Sequence, residues 1–403
     1  MLCKLPIYKK NKKCGIIFII GDRMRKVINK IDKPLLVLTM ISLIFGVMMV
    51  GSASSLKAYM SESDSFFYFK RQLLFIFIGL CATYIILKTP IKKWKALIYL
   101  AVMGVFGALV YVLFSGKVMN GISGWLFIGG FGIQPSEFAK TALILFMAII
   151  FDKFMRVKYI SNVAKVLPFI VPVVYLFLIF QQPDFGTMMI LLGITSVIFL
   201  IVPYDSKTKF VMAGFTLSSA LILVVVMLIT GKGFSESQLD RFNFKDPCTR
   251  YRETTGYQAC NGYIAINSGG LLGSGYGDSK QKYLYLPEAH TDFIFAIIVE
   301  EMGLISGILI ILTYFIIVWR IIKIGKKSYN LQGTIICYGV ATYLALHVMV
   351  NLGGVLGIIP LTGVPLPFYS YGGSFMINLL ICLAFVQRCA IENKIFEQKH
   401  FVN

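Results

Sequence analysis

Long uninterrupted apolar blocks, such as Leu97–Phe114 and Phe210–Ile229, restrict this chain more than any other feature. Each is close to the roughly 20 residues needed to cross a hydrocarbon core, where a helix can satisfy its own backbone. Only 14% of the 403 residues are charged and 57% are apolar, whereas a soluble chain carries about 25% charge. The sequence therefore predicts an all-α polytopic membrane protein with about ten transmembrane helices, stabilised by helix packing inside lipid. The spans fall near 34–54, 73–88, 95–114, 136–152, 166–182, 185–203, 210–230, 292–319, 332–351 and 373–388. One membrane domain, 34–388, follows a basic N-terminal stretch, 1–33, and precedes a tail, 389–403. A large extracytoplasmic loop, 231–291, separates the seventh and eighth spans.

The formal net charge of +20 would suggest nucleic acid in a soluble protein. Here the basic residues sort by side instead, and no soluble-looking segment carries a basic stripe interleaved with aromatics, so nucleic-acid binding is excluded. With ten spans, the segments on the side of the termini hold 27 of the 39 Lys and Arg. The opposite loops hold 11, seven of them in the one long loop, where the positive-inside rule has little weight. Both termini are expected in the cytoplasm, and the chemistry outside. Gly15–Ile20 is too short for a signal-peptide core, and no cleavage site follows. Met24-Arg-Lys-Val would begin a normal cytoplasmic lead-in, which leaves open whether the residues before it are translated.

The eight cysteines show no CxxC pair and no Cys/His metal spacing. Cys248 and Cys260 share the long outer loop and are expected to form a disulfide there. The alternative is two free thiols in a cell without strong periplasmic oxidation.

A charge at membrane depth costs a few kcal/mol and needs a partner, a cavity or a task. Glu137 and Lys140 follow Trp125, Gln134, Pro135 and Ser136 at a helix entry and stand three apart, so they can pair. An anchoring ion pair and a substrate role both fit them. Asp184, in Gln182-Pro183-Asp184, reads as the cap of the sixth span. Arg71 lies outward of the second span. Five glycines between Gly269 and Gly277 would let backbone approach a ligand, but without strand–helix context they are no P-loop. Glu288, His290 and Asp292 bring two carboxylates and an imidazole within five residues at the outer end of a span. A helix cap there would need neither Glu288 nor His290. Glu300 and Glu301, two turns further on, imply a polar cavity or ion pairs inside the bundle. The Pro- and Gly-rich stretch from Gly353 to Gly373, which includes Ser370, cannot be regular helix and reads as a re-entrant loop at a site.

These motifs resemble the SEDS family (FtsW, RodA, SpoVE). The matching segments are Gln134-Pro135-Ser136-Glu137, Gln182-Pro183-Asp184-Phe185-Gly186-Thr187, Leu286 through Phe295, and Gly363 through Ser374, all in the family's order. The resemblance covers about Pro34 to Arg388. Glu-Ala-His before Thr291 and the Gly275–Lys282 stretch resemble FtsW more than RodA. The family implies peptidoglycan glycosyl transfer for division or shape, lipid II as substrate, a class B penicillin-binding protein as partner beside other divisome or elongasome membrane proteins, and Asp292 as catalytic carboxylate. Many members carry Arg before the tryptophan where this chain has Gly124, so a substrate role for that residue does not carry over.

The implied reaction inverts an α-linked donor to a β-1,4 product, which calls for one general base, Asp292, and no covalent intermediate. Glu288, His290, Lys282, Arg71, Trp125, Gln134, Glu137, Lys140 and Ser370 make up the expected substrate-contacting set. Lys282, Arg71 and Lys140 are candidates to stabilise the leaving pyrophosphate, alongside a divalent cation (magnesium or manganese) for which no protein cage is visible; no organic cofactor is expected. The rival reading is a lipid II flippase or other transporter, for which Glu300, Glu301 and broken helices would serve. A third, a non-catalytic scaffold, leaves the Glu288/His290/Asp292 cluster unexplained.

Overall fold

The computed structural model describes residues 30–119, 122–157, 165, 167–207, 209–210, 245–250, 254–283 and 285–400. The expected seventh span, 210–230, lies almost wholly outside them. The other nine expected spans are helices: α1 (Lys33–Glu62), α2 (Phe67–Lys88), α3 (Lys95–Ser115), α4 (Pro135–Phe154), α5 (Ile170–Phe180), α6 (Phe185–Ile201), α8 (Ile294–Lys326), α9 (Leu331–Val355) and α10 (Gly373–His400). Among the described residues, six helices are long and apolar enough to cross a membrane, while α5 and α6 are shorter.

Helix starts follow local chemistry. The Asp32 side chain accepts from Leu35 N at the head of α1, where proline also stands in the first turn. Asn330 caps α9 in the same way through Gly333 N. Asp184 caps α6 through Thr187 N at 3.0 Å, as its place in the sequence predicts.

Burial separates the centre of the bundle from its rim. The most apolar windows of α9 and α10 are 72% and 89% buried, against 22% in α2 and in the segment containing α3. α9 packs on α8, α4 and α6, and α10 packs on α2. Exposed Leu, Ile, Phe and Met side chains crowd α1, α2, α3 and α8. Water would not tolerate so large an apolar surface, but lipid does.

Two features depart from the sequence reading. The expectation of an all-α chain missed a three-stranded antiparallel sheet in the loop between α3 and α4: β1 (Lys117–Met119), β2 (Ile122–Ile128) and β3 (Phe131–Ile133). Gly129 and Gly130, both at positive φ, turn the chain between β2 and β3. The stretch between the seventh and eighth expected spans also contains a helix, α7 (Thr254–Gly269). A disulfide between Cys248 and Cys260 ties it to the short turn Pro247–Arg250.

α8 is broken at Gly303, whose φ of 79° and ψ of 169° leave the helical region. The break frees the carbonyls of Glu300 and Glu301, and the glycine-rich segment takes them up. Ser274 N donates to Glu300 O at 2.9 Å and Gly275 N to Glu301 O at 3.0 Å. A Cβ on Gly303 would lie 2.2 Å from the Leu271 carbonyl. The glycines expected to face a ligand therefore allow two backbones to cross, and the Ser274 and Gly275 N–H groups are spent on α8.

Candidate active site

One end of the bundle gathers the ends of α1 and α9 with the starts of α2, α4, α8 and α10. Asp292 sits there, half-buried, just ahead of α8. The backbone around it is held from the stretch Val364–Tyr371 and from α9. Three consecutive carbonyls each accept a hydrogen bond: His290 O from Tyr371 N at 2.8 Å, Thr291 O from Ser370 Oγ at 2.6 Å, and Asp292 O from Asn351 Nδ2 at 2.8 Å. Ser370 Oγ also accepts from Leu366 N at 2.7 Å, and Asn351 Nδ2 also donates to Val364 O at 2.8 Å. The second motif is thus folded on itself and onto the first by the same two side chains. This answers the demand that irregular backbone at this depth be buried in protein.

Gly363 completes the arrangement. Its φ is +73°, and a Cβ built on it would lie 3.4 Å from Asp292 Oδ2. The positive φ is what calls for glycine here, and it sets this turn directly against the Asp292 carboxylate.

The residues around Asp292 divide by task. Glu288 accepts from Thr291 Oγ1 at 2.5 Å and lies 3.6 Å from Lys57 Nζ, which steadies the loop. His290, expected among the substrate contacts, is instead buried, with its ring 4.8 Å from that of Tyr68 and 5.7 Å from that of Tyr371. Burial, with Lys57 adding, pushes its pKa down to about 3, so the imidazole is neutral at ordinary pH. Ser370 is fully buried and holds backbone. Gln72, also fully buried, donates to Ser370 O and accepts from Gly372 N, each at 3.3 Å. Arg71 stands beside it, half-buried, its guanidinium 4.2 Å from the Phe67 ring centre and 5.1 Å from that of Phe131 on β3. Burial raises the pKa of the Tyr371 phenol, and the neighbouring Arg71 opposes that rise.

The other two expected cations lie elsewhere. Lys282 is buried, with Nζ 2.9 Å from Glu301 Oε1 and 3.0 Å from Ser52 Oγ. Lys140 is wholly buried between Glu137 Oε1 at 2.8 Å and His347 Nε2 at 3.0 Å. Both ammonium groups serve as counter-ions inside the bundle. Glu137 goes with Lys140. Gln134 Nε2 donates to Asp184 Oδ2 at 3.0 Å, so it too holds the helix entries together. The Trp125 ring packs on Gly132 of the neighbouring strand. Among the described residues no group of three or more His, Cys, Asp or Glu side chains is placed to hold a metal ion.

Asn351 was missed by the sequence reading, although an amide inside an apolar helix was a visible signal. His347 stands one turn before it on α9, so this one helix joins the buried Glu137–Lys140 pair to the Asp292 loop. Lys57, Tyr68 and Tyr371 carried no comparable signal, because their partners are remote in sequence.

Residues 33–395 match the family described as cell cycle protein, which takes in FtsW, RodA and SpoVE. The chain is 37% identical over 359 residues to stage V sporulation protein E of Bacillus subtilis (strain 168), covering 87% of this chain and 94% of that one. It is 33% identical over 387 residues to the probable peptidoglycan glycosyltransferase FtsW of the same strain, covering 93% and 94%. Among solved structures, a chain from a peptidoglycan synthase complex that coordinates polymerization and crosslinking is similar at TM-score 0.69 and 23% identity, covering 90% and 98%. The rod shape determining protein RodA of Thermus thermophilus is similar at TM-score 0.63 and 23% identity, covering 89% and 96%.

Proposed function

We propose, from the premise that this chain belongs to the FtsW/RodA/SpoVE family of cell cycle proteins, that Asp292 is the general base of a glycosyl transfer between two lipid-linked disaccharides. The chain is a multi-span membrane protein and a peptidoglycan glycosyltransferase, as its relatives are named. The substrate is lipid II, donor and acceptor alike. The acceptor GlcNAc 4-hydroxyl gives its proton to the Asp292 carboxylate as its oxygen attacks C1 of the donor MurNAc. The C1–O bond to undecaprenyl pyrophosphate breaks, and configuration at C1 inverts.

The observation that carries this reading is the clamping of the carbonyls of residues 290, 291 and 292. It fixes the backbone of one half-buried carboxylate at the mouth of the bundle, which is what a positioned base requires. Arg71 is our choice to face the developing pyrophosphate charge, because Lys140 and Lys282 are committed to Glu137 and Glu301. Glu288 orients the loop. The site faces outward, with both termini in the cytoplasm, in keeping with the distribution of basic residues. A class B penicillin-binding protein is the partner; a similar chain occurs within a synthase complex.

The transporter reading loses its footing. Glu300 accepts from Ser279 Oγ, Lys280 N, Gln281 N and Ser268 Oγ, and Glu301 is taken by Lys282 and Ser52. Neither carboxylate is left to handle a coupling ion. The test is incubation of the purified protein and its partner with lipid II, followed by separation of products on a gel. Glycan polymer is expected. Movement of lipid II across vesicles without polymer would overturn the reading.

A further inference from the structure

At the opposite end of the bundle, the start of α1 and the ends of α8 and α10 enclose a pocket of about 350 Å³. Its walls are tied together. Asp32 N donates to Gln387 Oε1 at 2.9 Å, Gln387 Nε2 donates back to Asp32 O at 3.0 Å, and Lys394 Nζ donates to Ile31 O at 3.1 Å. Five cations line it, namely Lys33, Arg320, Lys323, Lys327 and Lys394, against two carboxylates, Asp32 and Glu397. Asp32 is committed to Arg320. The pocket is therefore left with an excess of positive charge.

The α8 wall continues into an exposed apolar stripe. Leu312, Ile316, Trp319, Lys323 and Lys327 follow one another at steps of three or four, hence along one face. Leu312, Ile316 and Trp319 are exposed, at 51%, 41% and 50%. Lys323 Nζ lies 5.1 Å from the Trp319 ring centre and Arg320 Cζ 6.0 Å from it. A tryptophan with cations over its ring, between an apolar stripe and a basic pocket, is the arrangement expected at a membrane–water boundary.

We infer that this pocket binds the phosphate headgroup of an anionic phospholipid, whose acyl chains lie along α8. The positive excess selects a phosphate. The contiguous apolar stripe selects an amphiphile over a free ion, because only a lipid would fill both parts at once.

The experiment uses the full-length protein in detergent, exposed to phosphatidylglycerol, phosphatidylcholine or inorganic phosphate, with bound molecules counted by native mass spectrometry. Phosphatidylglycerol is expected to be retained where phosphatidylcholine is stripped. Retention should fall about thirtyfold in K323Q/K327Q, since each of the two basic residues near a headgroup contributes about 1 kcal/mol. K92Q/K93Q, in the turn Ile91–Trp94 at the same end but outside the pocket, should retain the lipid as the parent does. Lys323 and Lys327 are exposed, so the double variant should insert and melt normally. Equal retention of the two lipids, or undiminished phosphatidylglycerol in K323Q/K327Q, would overturn the proposal. So would displacement of the lipid by millimolar inorganic phosphate, which would make the ligand a free ion.

Discussion

Asp292 and the pair Glu300–Glu301 are carboxylates on the same stretch of chain, about two turns apart, and the fold treats them in opposite ways. Around Asp292 the backbone is immobilised by Tyr371, Ser370 and Asn351, and the half-buried side chain stands at the mouth of the bundle beside Gly363. At Glu300 and Glu301 the side chains themselves are immobilised, fully buried under serine hydroxyls, backbone N–H groups and the Lys282 ammonium. A buried charge is tolerable only when its lone pairs are filled, and a filled carboxylate cannot take a proton from a substrate. The loop that carries Asp292 is thus fixed through its main chain, and the Glu300–Glu301 pair through its side chains.

That contrast can be broken most directly at Asp292. Asp292→Asn keeps the shape and should lower polymer formation by about 10²–10⁴-fold, the range for loss of a general base. The variant should insert, melt and bind the partner as the parent does. Near-normal polymer from the pure variant would remove Asp292 from the base role. At the structural pole, Glu301→Gln leaves Lys282 buried without its counter-charge and should cost roughly 3–5 kcal/mol. Unfolding in detergent would read this, and adding Lys282→Met should restore most of the loss. If the double variant is no more stable than the single one, the pair is not the anchor described here.

Opening the Cys248–Cys260 disulfide tests whether α7 and the segment after it need a covalent tether. The chain-entropy model puts such a closure at about 3 kcal/mol. Alkylation without reduction, followed by mass spectrometry, should leave both residues unlabelled, and Cys248→Ser should increase proteolysis within 245–283. Ser370→Ala removes the bond to Thr291 O and the acceptor for Leu366 N without altering the Asp292 side chain itself. An activity loss of about tenfold is expected from misplacing the base, with rescue by Ser370→Thr. A loss as deep as that of Asp292→Asn would mean that Ser370 does more than position.

The last test is a pH dependence. His290 has its pKa lowered to about 3 in the fold, against 6.5 for the free side chain. Between those values the unfolded loop binds more protons, so stability rises with pH and is lost as pH falls below about 6.5. The slope is about 1.4 kcal/mol per pH unit while the shift applies. Hydrogen-exchange protection of residues 286–293, taken relative to the intrinsic exchange rate at each pH, should fall between pH 6.5 and 5 in the parent and stay flat in His290→Asn.

Much of this was legible from residue order alone. Apolar block length placed nine described helices, because in lipid a span must satisfy its own backbone. Asp184 could be placed as a cap because capping acts over three residues. The outer-end cluster of Glu288, His290 and Asp292 stood out because charge beside lipid is costly. Tertiary structure alone decided what those groups do. Lys282 meets Glu301 and Ser52, Lys140 meets His347, and Asn351 reaches the Asp292 backbone across 59 positions. It also turned the glycines into a crossing with α8, through contacts that depend on the kink at Gly303. Periodicity and spacing report neighbours within a turn or two. The bonds that make counter-ions of Lys282 and Lys140 join residues brought together only when the helices pack.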